Sequence, residues 1–218
     1  SCWDTYRSAH PLMSIIHPDM MKDMMWAFVN IYKQQGKLPV WHLMGCETDC
    51  MVGNPGVIIV ADGLNKGYIE DTETAFEALK NSVMLDERGQ DIRKQYGFIP
   101  YDKMKESVAN DMEYAIADGA VALAAKKLGK TEDYEYFFNR SRSYMNFFDK
   151  ELGFMRGRGT KGEFHEPFNP FASTHRDDDY CEGNAWQYTF LTPHDFEGLV
   201  ECFGSKENLV KKMDELFV

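Results

Sequence analysis

Acids, aromatics, amides and a histidine crowd into DDDYCEGNAWQYTFLTPHD, residues 177–195, just ahead of apolar positions with helical spacing: Trp186, Phe190, Phe196, Leu199, Val200 and Phe203. That spacing predicts a helix from about residue 184 to about 203. Asp177 and Asp178 read most simply as solvated acids complementing the positive end of that helix. Glu182 reads differently. Gly183, with no side chain, lets backbone or ligand come close, while Trp186 and Tyr188 offer flat apolar faces. A carboxyl pressed against such rings is destabilised in its charged form, so it keeps its proton toward neutrality, as a general acid must. Aromatic planes beside carboxyls and amides also suit sugars: the C–H face lies on the ring and the hydroxyls bond the polar groups. Asn184 is close enough in sequence to orient Glu182 or a hydroxyl. Trp186 is either core aromatic or sugar platform, and His194 either a satisfied histidine or a hydroxyl ligand.

Bulk properties bound the alternatives. With 218 residues, 44% hydrophobic and 14% aromatic, the chain can bury a sizeable core and is not globally disordered. A net charge of −11, with basic residues interleaved among acids, argues against a nucleic-acid partner. No apolar run approaches the roughly 20 residues that span a bilayer. The five cysteines (Cys2, Cys46, Cys50, Cys181, Cys202) have no disulfide-framework or zinc spacing and read as buried small hydrophobes.

The elements that must position the candidate residues are helical. A loop leads to a helix starting near Pro18, with a methionine-rich face through Tyr32 and a stop at Gly36. A second polar cluster, His42, Glu47, Thr48 and Asp49, precedes Val57–Val60, which read as helix although short apolar runs are ambiguous. Further helices are expected over 71–93, 104–128, 131–149 and 205–217, the last separated from its predecessor by Gly204-Ser205, a C-cap followed by an N-cap. From Gly153 to Tyr180 helical periodicity disappears, and a loop of that length inside a compact domain is usually functional. The fold class is all-α, with antiparallel neighbours.

Four blocks carry a resemblance. EGNAWQYTFLTPHDFEGL at 182–199, SCWDTYRSAHPLMSIIHPDM at the start, GKLPVWHLMGCETDCMVGNPGV at 36–57 and RSRSYMNFFDKELGFMRGR at 140–158 together resemble the helical domain of glycoside hydrolase family 92, calcium-dependent exo-acting α-mannosidases. Four blocks in the same order are far more specific than one motif.

The resemblance implies a partial (α/α)6 toroid, a single helical domain over 1–218 in a longer polypeptide with a β-sandwich before it and the rest of the toroid after it. It implies hydrolysis of terminal α-linked mannose, α-1,2 above all, from oligosaccharides or N-glycans with inversion, in a periplasmic or secreted protein. An inverting glycosidase needs a protonated and an ionised carboxyl about 6.5–9.5 Å apart. By motif position Glu182 looks like the family's general acid, whereas the aspartate base belongs to a GNEDCGQ-like motif that is missing here. Trp3 and Asp4 match a block that meets the terminal mannose. Glu47 and Asp49 match a site-proximal block, with substrate contact and structural hydrogen bonding both open. Trp186, Gln187, Asn184 and His194 complete the expected substrate-binding set. Calcium enters through the resemblance alone; the 177–179 acids lack the spacing of a loop site, so most ligands are expected outside this chain. A non-catalytic carbohydrate-binding fragment and a polysaccharide lyase remain as alternatives.

Overall fold

The computed structural model describes residues 1–217; Val218 lies outside them. The chain runs through α1 (Cys2–Thr5), α2 (Ala9–Ile16), α3 (Pro18–Gln35), β1 (His42–Leu43), β2 (Cys46–Glu47), α4 (Pro55–Asn65), α5 (Thr72–Met84), α6 (Gln90–Tyr96), α7 (Ser107–Lys127), α8 (Thr131–Arg140), a 3₁₀ turn (Ser143–Phe147), β3 (Phe148–Asp149), β4 (Phe154–Met155), α9 (Ala185–Thr189), α10 (Phe196–Phe203) and α11 (Lys206–Glu215). The all-α expectation holds. Two compact units divide it: Ser1–Asp86 with Ile116–Ser141, and Glu87–Ala115 with Arg142–Val218.

Local chemistry sets several boundaries as expected. Pro18 opens α3, where its missing N–H costs nothing, and Gly36 at φ 82° closes it. Val57–Val60 are helical in α4, with Val57, Ile59 and Val60 almost fully buried. Ser205 caps α11 by accepting from Asn208 N–H at 3.1 Å. Helix α7 is buried along most of its length, with Val108, Ala109, Met112, Ala115, Ala117, Val121, Ala124 and Ala125 all at 0% exposure. A helix buried nearly all round belongs in a core.

Elsewhere the structure departs from the sequence reading. The expected helix over 71–93 is two, because Leu85 turns extended (ψ 145°) and Gly89 restarts α6 from a left-handed conformation. The helix expected to reach 149 ends at Arg140, whose guanidinium holds buried Asp118 at 2.6 and 2.8 Å and the Val83 carbonyl at 2.8 Å. The helix expected over 184–203 breaks at Pro193, and Asp195 caps α10 anew by accepting from Gly198 N–H. Residues before Pro18 form α1 and α2 rather than a loop. Two short antiparallel hairpins were missed: β1 with β2 turns through Met44 (φ 53°) and Gly45 (φ 85°), and β3 pairs with β4. Cys46 and Cys50 are exposed, correcting their expected burial; Cys2 and Cys181 are buried.

Within the second unit, Asp111 on α7 and Arg93 on α6 form an ion pair 3.2 Å apart with side chains 0% and 2% exposed. Ser143 Oγ and Ile99 N–H complete the shell around the carboxylate. Removing one member of such a pair strands the other charge. Asp111→Ala is expected to lower stability by about 3–5 kcal/mol, read as a fall in thermal midpoint, while joint replacement of both members by leucine and methionine recovers most of that loss.

Candidate active site

In the second unit, the loop before α9 is clamped residue by residue. Asp178 caps two turns, accepting from Thr174 N–H at 2.5 Å and Tyr180 N–H at 2.8 Å, and its carbonyl accepts from Glu106 N–H at 2.8 Å. Asp179 is 8% exposed. His165 Nδ1 lies 2.9 Å from its carboxylate, Ser107 Oγ is 3.4 Å away, and its carbonyl accepts from Ala109 N–H in the first turn of α7. The His165 ring is stacked on Tyr101, centroids 4.2 Å apart and 3° from parallel. Gly157 makes room for this carboxylate: a Cβ there would lie 2.2 Å from Oδ2. Tyr180 Oη donates to the Met155 carbonyl at 2.6 Å. Tyr188 Oη donates to the Cys181 carbonyl at 2.7 Å and accepts Cys181 N–H at 3.3 Å.

Glu182 follows with φ 49°, a left-handed conformation that costs a residue with a Cβ roughly 1–2 kcal/mol. Its side chain is exposed and makes no hydrogen bond or ion pair among the described residues. Asn184 and Gln187 then form a capping box: Asn184 Oδ1 accepts Trp186 N–H at 3.1 Å and Gln187 Oε1 accepts Asn184 N–H at 2.9 Å. Gly183 is required beneath it, since a Cβ would lie 2.8 Å from Gln187 Oε1 and 3.1 Å from the Tyr188 ring. Clamped on both sides, the two-residue apex projects a single carboxyl outward.

That geometry corrects one expectation. The Glu182 carboxyl faces open space rather than aromatic faces, because the capping box starts α9 so that Trp186 packs edge-on against Phe154 (4.8 Å) with Lys212 Nζ 4.4 Å over its ring. Any desolvation of Glu182 therefore has to come from a bound ligand or from other parts of the polypeptide. His194 is half-buried with its ring edge-on to Tyr144 at 5.6 Å. Its neighbour Asp195 accepts from Tyr144 Oη at 2.8 Å and from Arg142 Nε at 3.1 Å. Burial works against the charged form, but Tyr144, Gly198 and Arg142 together hold its pKa below the usual carboxylate value.

Trp3, Asp4, Glu47 and Asp49 belong to the first unit. Trp3 is buried, with the Arg7 guanidinium 5.2 Å over its ring. Asp4 is exposed and accepts from Ser1 Oγ at 2.5 Å, the bond that chiefly lowers its pKa. Glu47 accepts four backbone N–H groups, from Val40, Trp41, Thr48 and Asp49, at 2.8–3.0 Å. Burial pushes its pKa up, and the four bonds more than reverse this, leaving it below 4.5. Asp49 takes both its oxygens to Lys37 Nζ at 2.8 and 3.0 Å. These two acids organise the hairpin block. Nothing in residue spacing marks the His165–Asp179–Tyr101 group, which the sequence reading missed; the only signal was a third acid followed by a tyrosine that turns out buried.

Among the described residues no three His, Cys, Asp or Glu side chains converge as a cation site would require. No described helix is long and apolar enough to cross a membrane.

A model of the glycosyl hydrolase family 92 catalytic domain matches residues 1–218. The chain belongs to this family. An α-mannosidase of family 92 from Bacteroides thetaiotaomicron, solved with mannoimidazole, is 38% identical, with a TM-score of 0.92 over 99% of this chain and 29% of that one. A family 92 inverting mannosidase from the same bacterium is 29% identical, with a TM-score of 0.91 over 98% of this chain and 30% of its own. An uncharacterised secreted glycosidase of Arthroderma benhamiae is 25% identical over 250 residues, 97% of this chain and 32% of the relative. The family 92 chain thus spans about a third of the length of the relatives it matches. Its helices fit the helical catalytic domains of these structures, with which a partial (α/α)6 toroid is consistent. Family 92 membership leaves the polysaccharide-lyase alternative without support.

Three outcomes are expected from this geometry. Glu182→Gly, which removes the Cβ from a left-handed residue, leaves the thermal midpoint unchanged or raises it, whereas Gly157→Ala lowers it by forcing the Asp179 carboxylate off its partners. The Glu47 carboxylate's stabilisation is fully present above pH 4.5 and is lost as pH falls through its lowered folded-state pKa. Glu47→Gln therefore destabilises at neutral pH, by about 1–3 kcal/mol, and the gap to the wild type closes in a denaturation series carried below that range.

Proposed function

We propose that this chain is the acid-bearing part of a catalytic domain that hydrolyses terminal α-linked mannose, α-1,2 linkages foremost, in oligosaccharides or N-glycans, with inversion. The observation that carries the reading is Glu182: an exposed carboxyl without a protein partner among the described residues, on a strained apex whose flanks are both clamped, in a chain similar along its length to α-mannosidases. Backbone strain kept at a site with so much support around it is typical of functional positions.

Glu182 gives its proton to the departing sugar oxygen. Water on the opposite face of the mannose is activated by an aspartate of the parent polypeptide outside this chain. The capping box uses Asn184 Oδ1 and Gln187 Oε1, so their amide NH₂ groups remain to donate to sugar hydroxyls. Asp4, exposed and next to Trp3 in the first unit, and His194 in the second are each assigned to sugar hydroxyls. Glu47, Asp49 and Trp186 serve chiefly to hold the surrounding blocks. Calcium, if the parent enzyme uses it, takes its oxygen ligands mainly from outside this chain. The reading places the parent enzyme in the periplasm or outside the cell, in keeping with the secreted fungal relative.

Glu182→Gln in the parent enzyme should lower kcat on an α-1,2-mannobioside about 10²–10⁴-fold. A dinitrophenyl α-mannoside, whose leaving group needs no proton, should be affected far less. Equal turnover by mutant and wild type on the mannobioside would remove Glu182 from the role.

A further inference from the structure

A groove of about 580 Å³ opens in the first unit between α3 and the turn that joins α4 to α5. Helix periodicity builds one wall: Lys22, Trp26, Asn30 and Lys33 recur at spacings of three and four, so they share a face of α3. Met25 and Val29, 1% and 7% exposed, line the groove from the buried side. Backbone chemistry fixes the facing wall. Gly67 (φ 82°) ends α4, its N–H reaching the Leu64 carbonyl at 3.1 Å while Tyr68 N–H reaches the Gly63 carbonyl at 2.9 Å. Tyr68 Oη donates to the Ser14 carbonyl at 2.8 Å, and Asp71 caps α5 by accepting from Thr74 N–H at 3.1 Å. Both walls therefore stand before any ligand arrives, which keeps the ordering cost of binding low.

The lining has the chemistry of a sugar site. Trp26 is 72% exposed, and its side chain makes no ring contact, hydrogen bond or ion pair among the described residues. The side chains of Lys22, Asp23, Asn30 and Glu70, which line the same groove, are likewise without a hydrogen bond or ion pair among the described residues. An indole face takes the C–H side of a sugar ring, and the ammonium, amide and carboxylate groups around it take the hydroxyls. The volume falls within the roughly 300–1,000 Å³ of small-ligand sites. Other occupants fit less well. Lys22 and Lys33 stand against Asp23, Glu70 and Asp71, so the lining has no positive excess for phosphates or uronates. The core of a protein interface is depleted in charge, whereas charged residues stand three and four positions before Trp26 and seven after it.

We propose that this groove is a second carbohydrate site, which holds one neutral hexose of a glycan chain on Trp26 while Asp23, Asn30 and Glu70 bond its hydroxyls. That the chain is rich in mannose rests on the proposed function; the groove itself does not depend on Glu182. Such a site tethers a branched or polymeric substrate and so raises the local concentration of its chain ends.

The test measures the affinity of the parent enzyme for α-mannan, in a Glu182→Gln background so that the polymer stays intact. Adding Trp26→Ala should weaken the Kd about 3–10-fold, and Trp26→Tyr, which keeps a ring, should recover most of the loss. Asn30→Ala at the rim should weaken it about 2–10-fold. With Glu182 restored, Trp26→Ala should leave kcat and KM on a dinitrophenyl α-mannoside unchanged and the thermal midpoint within a few degrees of the wild type.

Undiminished mannan binding in both Trp26→Ala and Asn30→Ala overturns the proposal, as does polygalacturonate binding that matches mannan and is lost with Trp26. A large fall in the Trp26→Ala midpoint also overturns it, because it marks the indole as covered by other parts of the polypeptide. The mannoside assay keeps the two readings apart. A wild-type enzyme inert toward the mannoside defeats the proposed function, while the mannan series alone decides the groove.

Discussion

A carboxylate enclosed by protein is costly unless its oxygens find donors, and the Asp179 side chain finds them in His165 and Ser107, in a socket kept open by the absence of a side chain at Gly157. This burial ties the end of the long 153–180 loop to the first turn of α7, the most deeply buried helix. Once Asp179 is seated, Tyr180 reaches the Met155 carbonyl and Cys181 meets Tyr188. Glu182 follows in a left-handed conformation, between this anchored stretch and the capping box of α9. The strained apex thus stands three residues after a buried, hydrogen-bonded carboxyl.

Acids are abundant in this chain, and the structure spends most of them on architecture. Asp111 and Asp118 are buried against Arg93 and Arg140, Glu47 gathers four backbone N–H groups, Asp195 caps α10, and Asp49 is paired with Lys37. Each is satisfied by donors that leave few lone pairs for a substrate. Glu182 stands apart because its neighbours clamp its backbone and leave its carboxyl alone. That contrast between consumed and available carboxylates selects the candidate more sharply than the density of acids in the 177–182 run.

What was legible in the residues follows from the range of the forces involved. Pro18, Gly36, Gly204 and Ser205 act on their own turns, and their helix boundaries could be read directly. The split of 71–93 and the early end of α8 depend on Leu85 turning extended and on Arg140 meeting Asp118, twenty-two residues away, so periodicity alone ran past them. The β1–β2 turn through Met44 and Gly45 was hidden because Met at positive φ is not a usual turn signal. At the site, the loop and its acid were legible, but not the surroundings. Trp186 was expected beside Glu182, and the capping box at Asn184 sends it instead to Phe154 and Lys212. Asp179 read as one of three similar acids, and only the packing of Gly157 and His165 distinguishes it.

The most direct measurement is a crystal structure of the parent enzyme with a non-hydrolysable thio-linked α-1,2-mannobioside. The account predicts Glu182 still at positive φ, its carboxyl about 2.6–3.2 Å from the bridging atom, with Asp179 buried against His165 as here. A bridging atom met by some other acid, with Glu182 turned to solvent, would contradict it.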